Sequence, residues 1–82
     1  MSYTYVIERT AAQMVLQRPP RERRLLQAAF DQIAAAPFQP ADFEERVDND
    51  RLLLTRFFGP FSVTYWLDHA VKEVRIAVIF RD

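Results

Sequence analysis

The chain of 82 residues has no cysteine, one glycine and one histidine. Without cysteine there can be no disulfide, no thiolate nucleophile and no zinc site that uses sulfur. The one histidine, His69, stands in a polar break at residues 67–72 between two strand-like runs, and no serine occupies a recognisable nucleophile motif. His69 therefore reads as a solvated turn residue, which argues against a Ser-His-Asp hydrolase. No apolar run approaches the roughly 20 residues that span a bilayer, and the N-terminus lacks the basic-then-apolar pattern of a secretion signal, so no membrane association and a cytoplasmic location are expected. Net charge is missing too. Eleven basic and eleven acidic residues cancel, and no global field draws the protein to nucleic acid.

What is present is a globular composition. Half of the residues are apolar and 13% aromatic, too many for a disordered tail, and 27% are charged, enough for a solvated surface. A chain of this length supports one domain, expected to occupy residues 1–82, and must use its core efficiently because small domains bury a smaller share of their surface. The charges separate locally. Arg18, Arg21, Arg23 and Arg24 face only Glu22, whereas Asp42, Glu44, Glu45, Asp48 and Asp50 have only Arg46 among them. Ten of the eleven basic residues are arginine, which favours bidentate pairing with carboxylate or phosphate over diffuse attraction.

Tyr3, Tyr5 and Ile7 alternate through a run of β-formers and predict a first strand. Thr10 and Gln13 fit a capping box for a short helix to about Gln17. Pro19 stops it, and Pro20 suits the first turn of a second helix. Leu26, Ala29, Phe30 and Ile33 then share one face of a helix over 21–36, with Arg24, Gln27 and Asp31 on another. Pro37 and Pro40 end it, and the acidic stretch to Asp50 reads as a loop.

Three strand signals follow, at 51–58, 61–68 and 73–80, the first two joined by Gly59-Pro60 in the manner of a type II′ hairpin turn. Strands joined so tightly run antiparallel. Phe61, Val63, Tyr65 and Leu67 alternate with Ser62, Thr64, Trp66 and Asp68. In the last strand Val74, Ile76, Val78 and Phe80 alternate with Arg75, Ala77, Ile79 and Arg81. The expected fold is α+β in the order βααβββ, with a helical pair on one face of a four-stranded sheet, mainly antiparallel. The mixed face, with Trp66, Arg75, Ile79 and Arg81, is then left open.

This order of elements, the Tyr5-Val6-Ile7 strand, the helix ending Ile33-Ala34-Ala35-Ala36-Pro37, the segment Gly59-Pro60-Phe61-Ser62-Val63-Thr64-Tyr65 and the final Val74-Arg75-Ile76-Ala77-Val78-Ile79 run resemble the RelE/ParE superfamily of bacterial toxins. The hairpin is similar to that family's Gly-x-Tyr-Arg-(aliphatic)-x-Tyr pattern. The resemblance implies a toxin of a plasmid-stabilising toxin–antitoxin pair, held by an antitoxin protein and needing neither cofactor nor metal. RelE-like members cleave mRNA on the ribosome with lysines and arginines on the open sheet face. Here the corresponding positions are Leu53, Thr55 and Ser62, and no tyrosine ends the chain. Fold names a scaffold more firmly than an activity.

Three functional readings are carried forward. In one, Trp66, Ser62, Thr64 and Ile79 form a partner-binding face for an antitoxin, with DNA gyrase as a ParE-like target reached by protein contacts alone. In the other, Arg56, Arg75 and Arg81 supply the cations of an mRNA endonuclease. Arg56 alternates inward and reads first as the ion-pair partner of the acidic loop, ahead of a phosphate-binding role. Trp66 either stacks a base or anchors a partner, or packs on Ile79 across the strand pair. A non-toxic relative that has kept only the fold is the third reading, and an apolar open face or an unpaired edge would also suit a homodimer.

Overall fold

The alternation at the start of the chain becomes strand β1, Thr4–Ile7, with Tyr5 and Ile7 packed on the core. A computed structural model describes residues 3–48 and 51–82. β1 runs parallel to the last strand, β5 (Glu73–Arg81), from Thr4 opposite Glu73 to Ile7 opposite Ile76. Helix α1, Arg9–Leu16, follows at once. The capping box expected at Thr10 and Gln13 does not form. The Glu8 N–H still donates to the Ile76 carbonyl at 2.9 Å, so strand pairing holds the chain until Glu8, and the helix begins one residue before Thr10. Glu8 occupies the cap position without a side-chain cap bond, and its carboxylate lies 3.5 Å from Arg75 Nε instead.

Helix α2, Pro20–Ala35, starts with proline in its first turn, where a missing N–H costs nothing, and ends just before Pro37. Its buried residues are Leu26, Ala29, Phe30, Ile33 and Ala34, the face expected from helical spacing. These side chains meet Phe61, Val63, Tyr65, Val74 and Ile76 of the sheet in one hydrophobic core. In proteins most helical stability comes from packing of an apolar face, so this burial holds the two helices in place.

The sheet has five strands, one more than expected, in the order β1-β5-β4-β3-β2. β3 is Leu52–Phe58 and β4 is Phe61–Asp68. The additional strand, β2, is Phe43–Arg46 and lies within the acidic stretch that local sequence assigns to a loop. Asn49 and Asp50, the end of that stretch, lie outside the described residues. β2 has no alternation of burial, since all four of its residues are exposed. It forms because β3 offers an otherwise unpaired row of N–H and C=O groups, and β2 pairs antiparallel with them from Phe43 opposite Thr55 to Arg46 opposite Leu52. A short, charged edge strand also discourages further pairing by other chains. The β3–β4 hairpin turns as expected, with Phe58 opposite Phe61 and Gly59 at φ +58°, a conformation that glycine adopts without strain.

One irregularity decides which side chains share a face. β4 and β5 pair antiparallel, but Tyr65 stands opposite Ile76 and Thr64 opposite Val78, so Ala77 is the extra residue of a bulge. A one-residue shift moves every later side chain to the other face. Ile79, expected on the open side, therefore lies opposite Val63 and is 5% exposed within the core. Arg81, also expected there, lies opposite Phe61 on the helix side. Val78 and Phe80, expected inside, stand opposite Thr64 and Ser62 on the open side. Removing side-chain volume should separate these faces. Ile79→Ala should cost about 2–5 kcal/mol in urea denaturation. Phe80→Ala should stay within about 0.5 kcal/mol of the parent. Equal losses would place both residues on one kind of surface and contradict the bulge.

Candidate functional site

The face of the sheet away from the helices is built by the residues between the buried ones. On β4 these are Ser62, Thr64, Trp66 and Asp68, and the register adds Leu53, Thr55 and Phe57 from β3, Phe43 and Glu45 from β2, and Glu73, Arg75, Val78 and Phe80 from β5. The two ends of this face differ in chemistry.

At the hairpin end the surface is phenylalanine. Phe57, Ser62 and Phe80 lie directly opposite one another on β3, β4 and β5. Phe43 of β2 meets Phe57 edge to face at 5.6 Å between ring centroids. The three rings are 61% (Phe43), 52% (Phe57) and 65% (Phe80) exposed. Behind them the hydroxyls of Thr55 and Thr64 bond to each other at 2.8 Å, which leaves little polar capacity between the rings and the far end.

At the far end Trp66 lies under a guanidinium. Arg51 sits 3.9 Å above the centroid of the Trp66 ring, and Arg75, opposite Trp66 in the register, is 5.9 Å from it. Arg75 is held by two carboxylates, with Nη1 3.1 Å from Glu73 Oε1 and Nε 3.5 Å from Glu8 Oε2. The Glu73 hydrogen bond, more than any other influence, raises the Arg75 pKa further. Among the described residues no carboxylate pairs with Arg51. The Trp66 Nε1 is buried and has no hydrogen-bond partner among the described residues. A recess of about 370 Å³ adjoins this end, lined by Arg51, Leu52, Leu54, Trp66, Leu67 and His69. His69 itself is exposed in the turn, as expected, with Nδ1 2.8 Å from the Tyr3 hydroxyl and its ring stacked on Phe38.

The residues named from sequence are thus only partly brought together. Trp66, Ser62, Thr64 and Arg75 share the open face. Ile79 does not, and so cannot be the residue on which Trp66 packs. Arg81 turns to the helix side, where Nε and Nη2 reach the Glu22 carboxylate at 3.2 Å each. Arg56 lies opposite Val63 and is 8% exposed, also on the helix side. The ion pair expected between Arg56 and the acidic loop is not made within the described residues. Asp42 instead accepts the Phe57 N–H at 2.9 Å and closes the end of the β2–β3 ladder. Arg56, Arg75 and Arg81 therefore do not converge. Sequence reasoning missed Arg51, Phe43, Phe57 and Phe80. Alternation against Thr55 could have found Phe57, whereas Phe43 needed the extra strand and Phe80 needed the bulge.

Two polar groups in the core stand apart from this face. The Tyr65 hydroxyl and Arg56 Nη1 are buried, and among the described residues neither has a hydrogen-bond partner of full geometry. Burial raises the Tyr65 pKa above its ordinary value, against the opposing pull of the Arg56 guanidinium, while Asp42 and Glu44 add to the rise. Tyr5 moves in the same direction, by burial and then by Asp31. Among the described residues no group of three His, Asp or Glu side chains is placed to hold a metal ion, and no helix is long and apolar enough to cross a membrane.

Two solved structures share this architecture over almost the whole chain. A chain of the archaeal RelE–RelB complex from Pyrococcus horikoshii OT3 superposes with a TM-score of 0.77 at 18% identity, covering 99% of this chain and 96% of that one. The fold is RelE-like. A chain of the RelBE2 toxin–antitoxin complex from Mycobacterium tuberculosis matches with a TM-score of 0.68 at 19% identity, covering 99% and 92%. No protein-family model and no curated protein matches the sequence. The RelE-like scaffold is therefore recognised through its backbone, at an identity too low to carry activity across.

The buried phenol gives a test of the core beneath the face. A folded-state pKa above the unfolded value of about 10 means that the native state holds the proton more tightly. The stability from Tyr65 is then fully present below about pH 10 and is lost as pH rises through its folded pKa. Tyr65→Phe should shallow the fall of unfolding free energy above pH 10, measured by urea denaturation across that range. Parallel pH profiles for the two proteins would show that Tyr65 is not the group responsible.

Proposed function

We propose that this chain is the toxin-like member of a toxin–antitoxin pair and acts by binding protein through its open sheet face. Similar folds come from RelE–RelB and RelBE2 toxin–antitoxin complexes, which supports an antitoxin as one partner. The observation that carries the binding mode is the separation of the arginines. Phosphodiester cleavage needs a group to activate the 2′-hydroxyl, one to protonate the leaving oxygen and cations to offset transition-state charge, all at one place. Arg56 and Arg81 lie on the helix side, Arg75 is neutralised by Glu73 and Glu8, and Leu53, Thr55 and Ser62 fill the open face between them. A face of phenylalanine, threonine and tryptophan suits a protein partner better, since aromatic anchors dominate protein interfaces. DNA gyrase, reached in the ParE manner, is the target class this reading favours.

Expression in a bacterial host, with growth, mRNA integrity and plasmid supercoiling followed together, tests the reading. Growth arrest with intact mRNA is the expected outcome, relieved when the protein encoded beside the chain is co-expressed. Arg75→Ala should leave the arrest within about twofold of the parent, since a paired surface arginine contributes little. Ribosome-dependent mRNA cleavage that disappears in Arg75→Ala would replace binding by catalysis. Normal growth with soluble, folded protein would leave a scaffold that has lost toxicity.

A further inference from the structure

We propose that the recess beside Trp66 is a binding site for a small apolar monocarboxylate, which lays its hydrocarbon body between Leu52, Leu54 and Leu67 and pairs its carboxylate with Arg51. The proposal stands apart from the protein-binding reading and uses neither the phenylalanine row nor a partner chain.

The recess exists because two inner strands part. In an antiparallel ladder, alternate residue pairs exchange both of their N–H···O bonds. Phe58 with Phe61 closes the two-residue hairpin, so Arg56 with Val63 and Leu54 with Tyr65 are the next such pairs. The pair after them would be Leu52 with Leu67, and the ladder stops before it. From there Leu52 and Leu53 follow β2, opposite Arg46 and Glu45, while Trp66 and Leu67 follow β5, opposite Arg75 and Val74. The opening of about 370 Å³ lies where the pair is missing, with Leu52, Leu54, Trp66 and Leu67 among its walls. Such a wedge forgoes the hydrogen bonds of that pair and leaves polar backbone for a ligand to meet.

The walls select the ligand. Side chains alternate along each strand, so Leu52, Leu54 and Leu67 look to the core side, and Arg51 and Trp66 to the open side. The depth is therefore apolar and the mouth basic. The Arg51 guanidinium rests 3.9 Å from the Trp66 ring centroid, a cation–π contact that leaves its N–H donors for a carboxylate. Nearby acids are engaged elsewhere, since Asp68 accepts the Ala70 N–H at 3.2 Å and Glu73 holds Arg75. Where His69 Nδ1 accepts the Tyr3 hydroxyl proton, its Nε2 carries a hydrogen and gives the mouth a second donor. At the roughly 30 Å³ that one water occupies in the liquid, the opening holds about twelve non-hydrogen atoms. That is the size of a phenyl ring with a short acid tail, and about half that of a mononucleotide.

Trp66 is the sole tryptophan, so its fluorescence reports directly on the site. The probes are hydrocinnamate, its neutral amide, acetate and a glutamate blocked at both ends, each titrated into the whole chain at constant ionic strength. Hydrocinnamate should change Trp66 emission saturably, with a Kd of about 1 mM or below. The amide should bind about tenfold more weakly, and acetate should give no saturable change up to about 10 mM. Arg51→Ala should bring acid and amide within about twofold of each other. Leu52→Phe fills the opening from a half-buried position and should weaken both at least about tenfold, with circular dichroism showing the variant folded. In the free protein the amide protons of Leu52 and Leu67 should exchange faster than those of Leu54 and Tyr65, and their resonances should move when hydrocinnamate is added. Equal protection of all four would mean that the strands pair to their ends, and overturns the proposal. So do equal affinities for acid and amide in the parent, an unchanged preference in Arg51→Ala, parent-like binding in Leu52→Phe, or no saturable emission change with hydrocinnamate up to about 10 mM. Blocked glutamate that binds as tightly as hydrocinnamate would assign the site to the side chain of another protein, which also overturns it.

Discussion

The ladder between β4 and β5, interrupted at Ala77, is the constraint on which the rest depends. The two strands lie side by side in the middle of the sheet, and β5 also carries β1 on its other edge. Tyr65, Val63 and Phe61 project from β4 toward the helices, and the residues opposite them on β5 must do likewise. Without an extra residue, Ile76, Val78 and Phe80 would fill those places and Ile79 would face water. With it, Ile79 enters the core, Arg81 comes within reach of Glu22 on α2, and Phe80 joins Phe57 on the open side. A bulge re-aims side chains at little cost in pairing, because only one residue leaves the ladder.

That change of phase also divides the arginines. A cation on the open face keeps its charge available only if no carboxylate of the chain lies beside it. Arg75 has Glu73 two residues away along its own strand and Glu8 at the end of β1, which stays hydrogen-bonded to β5. Arg81 is drawn to Glu22, and Arg56 is enclosed beside Tyr65. Arg51, just before β3, lies 3.9 Å above the Trp66 ring. A buried arginine with one nitrogen unpartnered, next to a buried phenol in the same condition, carries a desolvation cost that only the surrounding core can offset.

Local pattern recovered most of the architecture for identifiable reasons. The α2 face of Leu26, Phe30 and Ile33, the turn at Gly59-Pro60 and the inward set on β4 depend on periods of 3.6 and 2 and on a residue that tolerates positive φ. Each of these is a property of neighbours in the chain. β2 was not legible, because Phe43, Glu44, Glu45 and Arg46 have no alternation and become a strand only beside β3. The start of α1 was misplaced for a related reason. Thr10 and Gln13 form a sound cap locally, but Glu8 is still bound to Ile76, far along the chain.

The sequence by itself determined the first strand, the two helices, the three-strand meander that ends the chain, the core residues of α2 and β4, and the absence of cysteine chemistry, since these follow from composition and short-range periodicity. Only the tertiary structure decided which residues look outward together. The phenylalanine row draws on three strands, and the site at Trp66 joins the residue before β3 to the later part of β4. Facing is set by register between strands distant in sequence, and a single extra residue such as Ala77 reverses it.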